Sequence, residues 1–512
     1  MTSLSQAPVT HTKATDLIKK HQRESKFFFR VEEPEWREII SKLLHDRLVF
    51  LAMWCDQMDL NVLFLENGFR PLGVKVALSV DRYWAVSSVR PAAIIYERMI
   101  WDLWGKEAMN AIMELRPWLD RGMWKNTWPL SDKPGPVASS IEPYDYNIPG
   151  DLEQKGGEVS IIDPSSCNGI SPSLWHFSVM GEQIMKANAL YGYTHRGILS
   201  NLYGKNVLQV QPLISRINAV DSIAHQIAFS HAIEDVAQFI PSTYVLRQRV
   251  ILSEISKVIA HLLYLSHLFR GLGIGIIATR CELARELLMR WCAHYYGHRW
   301  LMDCVFPGTV RPSTLNGEED KETLPNKVKY LYCEAKKLSQ GFPGLIDSLQ
   351  SVGVLSVEQA IRFNIGGIIG RASGRDIDIR RYMPEYRLEW LSPRTFTTGD
   401  VLARMQLRFQ EIDNAFEIIE TILQDVEDED SSQPNKIIVE TLYGEGIGVC
   451  EGVQGDLWYY VKVEAGKIKD IFIRDPAANQ AYVLRDLLQN ETWENQSIIR
   501  SSFGILSTGV DL

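Results

Sequence analysis

Apolar residues recur in steps of three and four along Ser222 to Ile240, Val250 to Phe269, Arg280 to Tyr296 and Asp400 to Val426, a spacing that predicts helices with one face in a core. The last stretch is the most regular. Leu402, Met405, Phe409, Ile412, Phe416, Ile419, Leu423 and Val426 lay one apolar seam along about seven turns, which requires another helix to pack against it. The acidic run Glu427 to Asp430, with the Ser, Gln, Pro and Asn that follow, predicts a solvated loop. Beyond it, Ile437 to Leu442, Leu457 to Val463 and Ile468 to Ile473 predict strands, with Glu464 to Lys467 as the tight turn between the last two.

The N-terminal region has a different rhythm. Trp36 to Leu44 predicts a helix, whereas Leu48 to Trp54, Val62 to Glu66 and Val74 to Val80 are short aliphatic and aromatic runs that suit strands. Pro134, Pro136, Pro143 and Pro149 then interrupt regular structure. The expected organisation is a flexible polar tail over 1–26, a small α/β domain over 27–130, a linker over 131–157 and a mainly helical domain over 158–512 with a small C-terminal β-sheet. The fold class is α+β.

Composition narrows the function classes. With 512 residues, 46% of them hydrophobic, the chain can bury cores for two domains. A net charge of -9 provides no electrostatic footprint for nucleic acid or anionic lipid. The most apolar helical stretch, Val258 to Phe269, is broken by His261 and His267 and flanked by Glu254, Lys257 and Arg270, so a buried core helix is expected instead of a membrane span. The polar N-terminus has no apolar core of a secretory signal. None of the seven cysteines forms a Cys-x-x-Cys pair, which points to buried or incidental thiols in a reducing cytoplasm.

Local motifs have plain readings. Gly366 to Gly374 has no following Lys-Ser/Thr and no strand before it, so a structural turn is expected in place of a phosphate loop. His225 and His231 are six apart, on different helix faces, and read as satisfied buried histidines. Glu97, Arg98 and Asp102 have the spacing of charge pairs on a helix.

Two stretches carry a sharper signal. Ile217 to Gln226 and Asp475 to Gln480 resemble the metal-binding motifs of nickel-iron hydrogenase large subunits, which read Arg-x-Cys-x-x-Cys-x-x-x-His and Asp-Pro-Cys-x-x-Cys. At the four ligand places this chain has Asn218, Asp221, Ala477 and Gln480, while His225 keeps its place. The resemblance continues in order through Phe177 to Glu182, Gly192 to Gly197, Glu254 and His261, Gly297 to Arg299, and Gly370 to Gly374 with Asp378, Arg380, Arg381 and Pro384. It then runs through Gly399 to Arg404 with Arg408 and Glu411, Gly444 to Gly446, Ser502-Phe503 and Gly509 to Leu512. Upstream, Glu97-Arg98, Asp102 and Gly105, followed by a proline- and tryptophan-rich tail, resemble the complex I component NuoC and the front half of formate hydrogenlyase large subunits, with Met99 where that family usually has a second glutamate. The family resembled is the nickel-iron hydrogenase large subunit and complex I NuoC-NuoD group, over residues 30 to 512.

The resemblance implies a NuoC-like docking domain in front of a NuoD-like or hydrogenase-like domain. Nickel and iron need soft thiolates, and the four ligand places offer hard oxygen donors and a methyl group, so no metal and no hydrogenase activity are expected. Asp221 with Gln480 are two weak ligands, too few for a hard-cation site. The chain continues past Gln480 with a family-like ending, so no trimming there is expected. Quinone binding is left open, because the loop Asp163 to Ile170 lacks the histidine that helps place the head group in complex I relatives.

What the resemblance implies is therefore a large subunit of a membrane-associated oxidoreductase complex. No cofactor is expected in this chain. An iron-sulfur cluster would belong to a NuoB-like small subunit, and antiporter-like membrane subunits would hold the protein on the cytoplasmic face of the membrane. Asp221, His225, Arg371, Asp378, Arg404, Arg408 and Glu411 form the expected cavity and coupling set. Arg404, Arg408 and Glu411 share a helix face apart from the apolar seam, either a solvated salt-bridged face or the polar lining of the ancestral cavity. A quinone-reactive subunit and a non-catalytic scaffold are the two alternatives.

Overall fold

The computed structural model describes residues 13–56, 58–111, 117–120, 124–133, 135, 156–166, 172–312, 326–392, 394–424 and 437–512. Most of the expected linker, the acidic run after residue 426 and Cys167 lie outside them. The chain divides into two compact units, one from residues 1–117 and 123–139 and the other from 118–122 and 140–512.

In the first unit α1 (Ala14–Lys20) precedes β1 (Gln22–Arg23), β2 (Phe28–Val31), α2 (Glu33–Leu43), β3 (Val49–Cys55), β4 (Asp59–Glu66), β5 (Arg70–Ala77) and α3 (Ile94–Trp104). The sheet has the order β1-β2-β5-β4-β3, with β2 and β5 parallel and the other pairs antiparallel. β3 and β4 are buried on both faces, which explains why they read as continuous apolar runs and not as alternating ones. Part of the stretch expected as a loose tail is ordered. Ala14 and Ile18, one turn apart, are both fully buried, and the Thr15 amide donates to Asp46, so α1 has its own anchor. Glu97, Arg98 and Asp102 lie on α3 but are buried; Glu97 accepts from the Ser87 amide and Arg98 donates to the Pro117 carbonyl.

The second unit is α+β. β6 (Glu158–Ile162), β7 (Leu174–Met180) and β8 (Gln183–Leu190) form an antiparallel sheet. The helical body follows: α4 (Ser222–Ala237), α5 (Thr243–Gly271), α6 (Gly275–Tyr296), α7 (Asn326–Gly341), α8 (Gly367–Ala372) and α9 (Val401–Gln424). The seam of α9 does find its helix, since Tyr332 of α7 packs tilted against Phe409 and edge-on against Phe416. The expected turn at Gly366 to Gly374 is mostly the short helix α8, placed where a side chain on Gly367 (φ 57°) would strike the Gln454 carbonyl. Among the described residues no helix is long and apolar enough to cross a membrane.

The last sheet comprises β9 (Gly444–Gly452), β10 (Gly455–Glu464) and β11 (Lys467–Arg474), all antiparallel, and α10 (Pro476–Leu487), α11 (Asn495–Phe503) and α12 (Ser507–Asp511) follow it. One expectation is corrected here. Ile437 to Leu442 is no strand, and Val439–Thr441 forms a 3₁₀ turn; the third strand is β9, whose Gly444, Gly446, Gly448 and Gly452 conceal it from an apolar pattern. Those glycines let α4 ride directly on the strand. A Cβ on Gly446 would collide with the Ala232 carbonyl oxygen, and one on Gly448 would collide with that of Ala228.

Candidate functional site

Of the four places that the resemblance matches to metal ligands, Asp221 at the N-terminus of α4 and Gln480 on α10 both bond to the loop between β9 and β10. Asn218 Oδ1 accepts from the Val220 amide, and Asp221 Oδ1 accepts from the Val453 amide at 2.9 Å. On α10, Asp475 caps the helix through the Ala477 amide, and Gln480 Nε2 donates to the Gln454 carbonyl at 2.6 Å. His225, one turn after Asp221, bonds through Nδ1 to the Tyr459 hydroxyl at 2.8 Å, and its Nε2 faces Asp475 Oδ2 at 3.6 Å. Burial pushes the Asp221 carboxyl up to about 6, and the Asp475 charge adds to that rise while the Val453 amide opposes it.

This donor set does not fit a nickel-iron centre. Ala477 offers a fully buried methyl group, and Asn218, Asp221 and Gln480 each commit one polar atom to a backbone partner. Among the described residues no group of three or more His, Cys, Asp or Glu could hold a metal ion.

A second cluster is a network of buried charges. Arg371 of α8 donates to Glu411 of α9 and, at 3.1 Å, to Glu451 of β9. Glu411 also meets His261 Nε2 of α5 at 2.9 Å, and His261 Nδ1 lies 3.4 Å from Arg408. Asp378 takes a bidentate contact from Arg380, which reaches Glu254 at 3.4 Å; Glu254 in turn accepts from Lys257 at 2.9 Å and from the Tyr386 hydroxyl at 2.6 Å. Burial alone would raise the Glu411 carboxyl, but Arg371 and His261 hold it well below the usual range. Burial likewise opposes the Arg371 charge, and Glu411, Asp378 and Glu451 more than offset it. Glu451 goes the other way: burial raises it, and the neighbouring Asp378 charge adds to the rise.

The structure thus separates the expected set. Arg371, Asp378, Arg408 and Glu411 share the ionic network, while Asp221 and His225 share the former ligand cluster. The solvated-face alternative for Arg404, Arg408 and Glu411 is overturned, since both arginines are buried and the Glu411 side chain is only 14% exposed. Arg404 has a mainly structural position. It donates to Ser502 Oγ and to the Gly399 and Gly353 carbonyls, and Arg408 donates to the Ser502 and Phe503 carbonyls at the end of α11. Cations at a helix C-terminus offset its dipole. Burial lowers Arg404 to about 9 and Arg408 to about 10, and both remain cationic at neutral pH. Arg408 also lies over the Tyr264 ring, 4.6 Å from its centroid, in a layer with Val220, Ala260, Val453 and Leu506.

Sequence reasoning missed Lys257, Tyr386 and Glu451 as network members. Glu254, Lys257 and His261 fall on one face of α5 in steps of three and four, a polar stripe within an apolar helix that was the available signal. His231 and Glu385 form a further buried pair, with Arg249 3.7 Å from the same carboxylate.

The comparisons with known proteins match this architecture. A family model described as the respiratory-chain NADH dehydrogenase 49 Kd subunit matches residues 276–442, the span that includes Arg371, Asp378, Arg404, Arg408 and Glu411. The fused C/D component of the NADH-quinone oxidoreductase of Bacteroides thetaiotaomicron is 25% identical over 408 residues, covering 75% of this chain and 76% of that protein. The alpha chain of the membrane-bound hydrogenase of Pyrococcus furiosus is 27% identical over 316 residues, 58% of this chain and 73% of its own length. Among solved structures, a chain of the membrane-bound sulfane sulfur reductase, an archaeal respiratory membrane complex, superposes with a TM-score of 0.65 at 21% identity, over 72% of this chain and 100% of that one.

Proposed function

We propose that this chain, a member of the NuoD and hydrogenase large-subunit family, is the large subunit of a membrane-associated oxidoreductase complex that has no nickel-iron site of its own. It couples electron transfer at the cluster of a NuoB-like iron-sulfur partner to ion translocation by antiporter-like membrane subunits, and it sits on the cytoplasmic face of the membrane through those partners. The observation that carries this reading is a pair of buried ionic groups, Glu254–Arg380–Asp378 and Arg371–Glu411–His261, with the Asp378 charge acting on Arg371 between them. Such a chain of paired acids, bases and arginines converts a change of charge at one end into a change of proton affinity along it. Purification with the natural partners, with nickel, iron and quinone measured together, is expected to find iron as clusters and no stoichiometric nickel; stoichiometric nickel would overturn the reading. In the same complex Glu411→Gln is expected to lower ion-coupled turnover by about tenfold, equivalent to about 1.4 kcal/mol in the barrier, with assembly intact.

A second reading, a quinone-reactive role, is favoured by the names of the NADH-quinone oxidoreductase relatives from Bacteroides thetaiotaomicron and Carboxydothermus hydrogenoformans. It requires the complex to reduce a quinone analogue and Arg371 or Asp378 substitutions to abolish that reduction. Turnover independent of quinone excludes it.

A further inference from the structure

The former ligand cluster contains an excess of unpaired polar atoms. Asn218 Nδ2, His225 Nε2, Gln454 Oε1 and Gln480 Oε1 are all buried and make no hydrogen bond within the protein. The four residues are at most 3% exposed. They also belong together. Gln480 is bonded to the Gln454 carbonyl, the neighbouring Val453 amide is bonded to Asp221, the Asp221 amide faces Asn218 Oδ1, and His225 is one turn along from Asp221. The Tyr264 hydroxyl, in the field of Asp221 and Asp475, is a fifth unpaired buried atom.

An orphaned polar atom in an apolar interior costs about 1–3 kcal/mol, so several on residues bonded to one another favour a ligand that supplies both donors and acceptors. The set has both kinds, amide and imidazole nitrogens beside amide and phenolic oxygens, which does not suit a bare cation. Water is the small molecule with matching chemistry, and a buried water makes about three hydrogen bonds to groups of this type. The 3.6 Å between His225 Nε2 and Asp475 Oδ2 is too long for a direct hydrogen bond and is a separation that a bridging water closes.

We propose that Asn218, His225, Gln454 and Gln480 form a binding site for a small internal water cluster, which occupies the place of the metal ligands and joins His225 to Asp475. The bound water would satisfy the spare amide atoms of Asn218 and Gln480, which stand at two of the four places matched to metal ligands, together with those of their neighbours His225 and Gln454.

A crystal structure of the full chain at a resolution that shows ordered solvent tests this. At least one ordered water is expected within about 3.2 Å of two or more of the four atoms, with no anomalous signal at the nickel, iron or zinc edge. A dry site in which the amides turn to pair with protein groups would overturn the proposal, as would a metal peak. The Gln480→Met variant, which keeps the length of the side chain and removes the amide, provides the second arm. Its structure is expected to lose the water nearest residue 480; the same water at undiminished occupancy counts against Gln480 as its holder. Oxygen-17 relaxation dispersion of the water signal supplies a readout free of crystals, and it is expected to count fewer long-lived internal waters in that variant than in the parent.

Discussion

At the scale of single residues, buried ionisable groups dominate this protein, and two of them tie stability to pH through different causes. His231 places Nδ1 on the Val449 carbonyl and Nε2 on Glu385, two partners that can only accept, so the geometry requires the doubly protonated ring. Burial alone would lower it, but Glu385 outweighs burial and the folded value lies above 6.5. Its contribution is therefore fully present below pH 6.5 and is lost as pH rises through the folded value. Urea unfolding of the second unit between about pH 6 and 9 is expected to show this decline, and His231→Gln is expected to flatten it. In the first unit, burial pushes Glu97 from 4.5 up to about 7. Folded, it stays neutral up to about pH 7, so the stability fully present below pH 4.5 is lost as pH rises from there through about 7, at a cost of roughly 3 kcal/mol above that. Glu97→Gln should raise the melting temperature at about pH 8.5 more than at about pH 5.

At the scale of elements, the contact between α4 and β9 depends on glycine. Gly448→Ala would drive a methyl group into the Ala228 carbonyl, so strand and helix must separate. A loss of about 2–4 kcal/mol by denaturant unfolding is expected. Gly275→Ala on α6 is the control: nothing lies within 4 Å of the added carbon, and stability is expected to hold or to rise by up to about 1 kcal/mol. Arg404 shows why an element can need a buried cation without chemistry. It ties the end of α11 to the Gly353 and Gly399 loops through neutral oxygens, so Arg404→Leu is expected to speed hydrogen exchange in α11 before it touches turnover.

At the scale of the whole molecule, chain order and compact units do not coincide. Trp118 and Leu119 belong to the second unit, where the Trp118 ring lies 5.2 Å from that of Tyr191 and the Leu119 carbonyl lies against Gly192. Asp511 then bonds the Gly192 and Thr194 amides, so the last helix holds the same loop. A chain that begins at Ser140 loses the aromatic contact and is expected to be less stable than one that begins at Trp118, by about 1–3 kcal/mol in thermal unfolding of the two.

The sequence by itself determined the long helices, because their apolar spacing needs no knowledge of partners, and the poor fit of the donor set to nickel and iron, because ligand chemistry is a property of residue type at a place. It also placed Asp221 and His225 beside Ala477 and Gln480 through the resemblance. Tertiary structure decided the rest. β9 became a strand because α4 needs glycines beneath it, a demand no local pattern of that stretch contains. The Arg404 and Arg408 face became interior because α11 brings its terminal carbonyls there. Glu451, Lys257 and Tyr386 entered the network because charges far apart in the chain offset their desolvation only where β9, α5 and the loop before α9 converge.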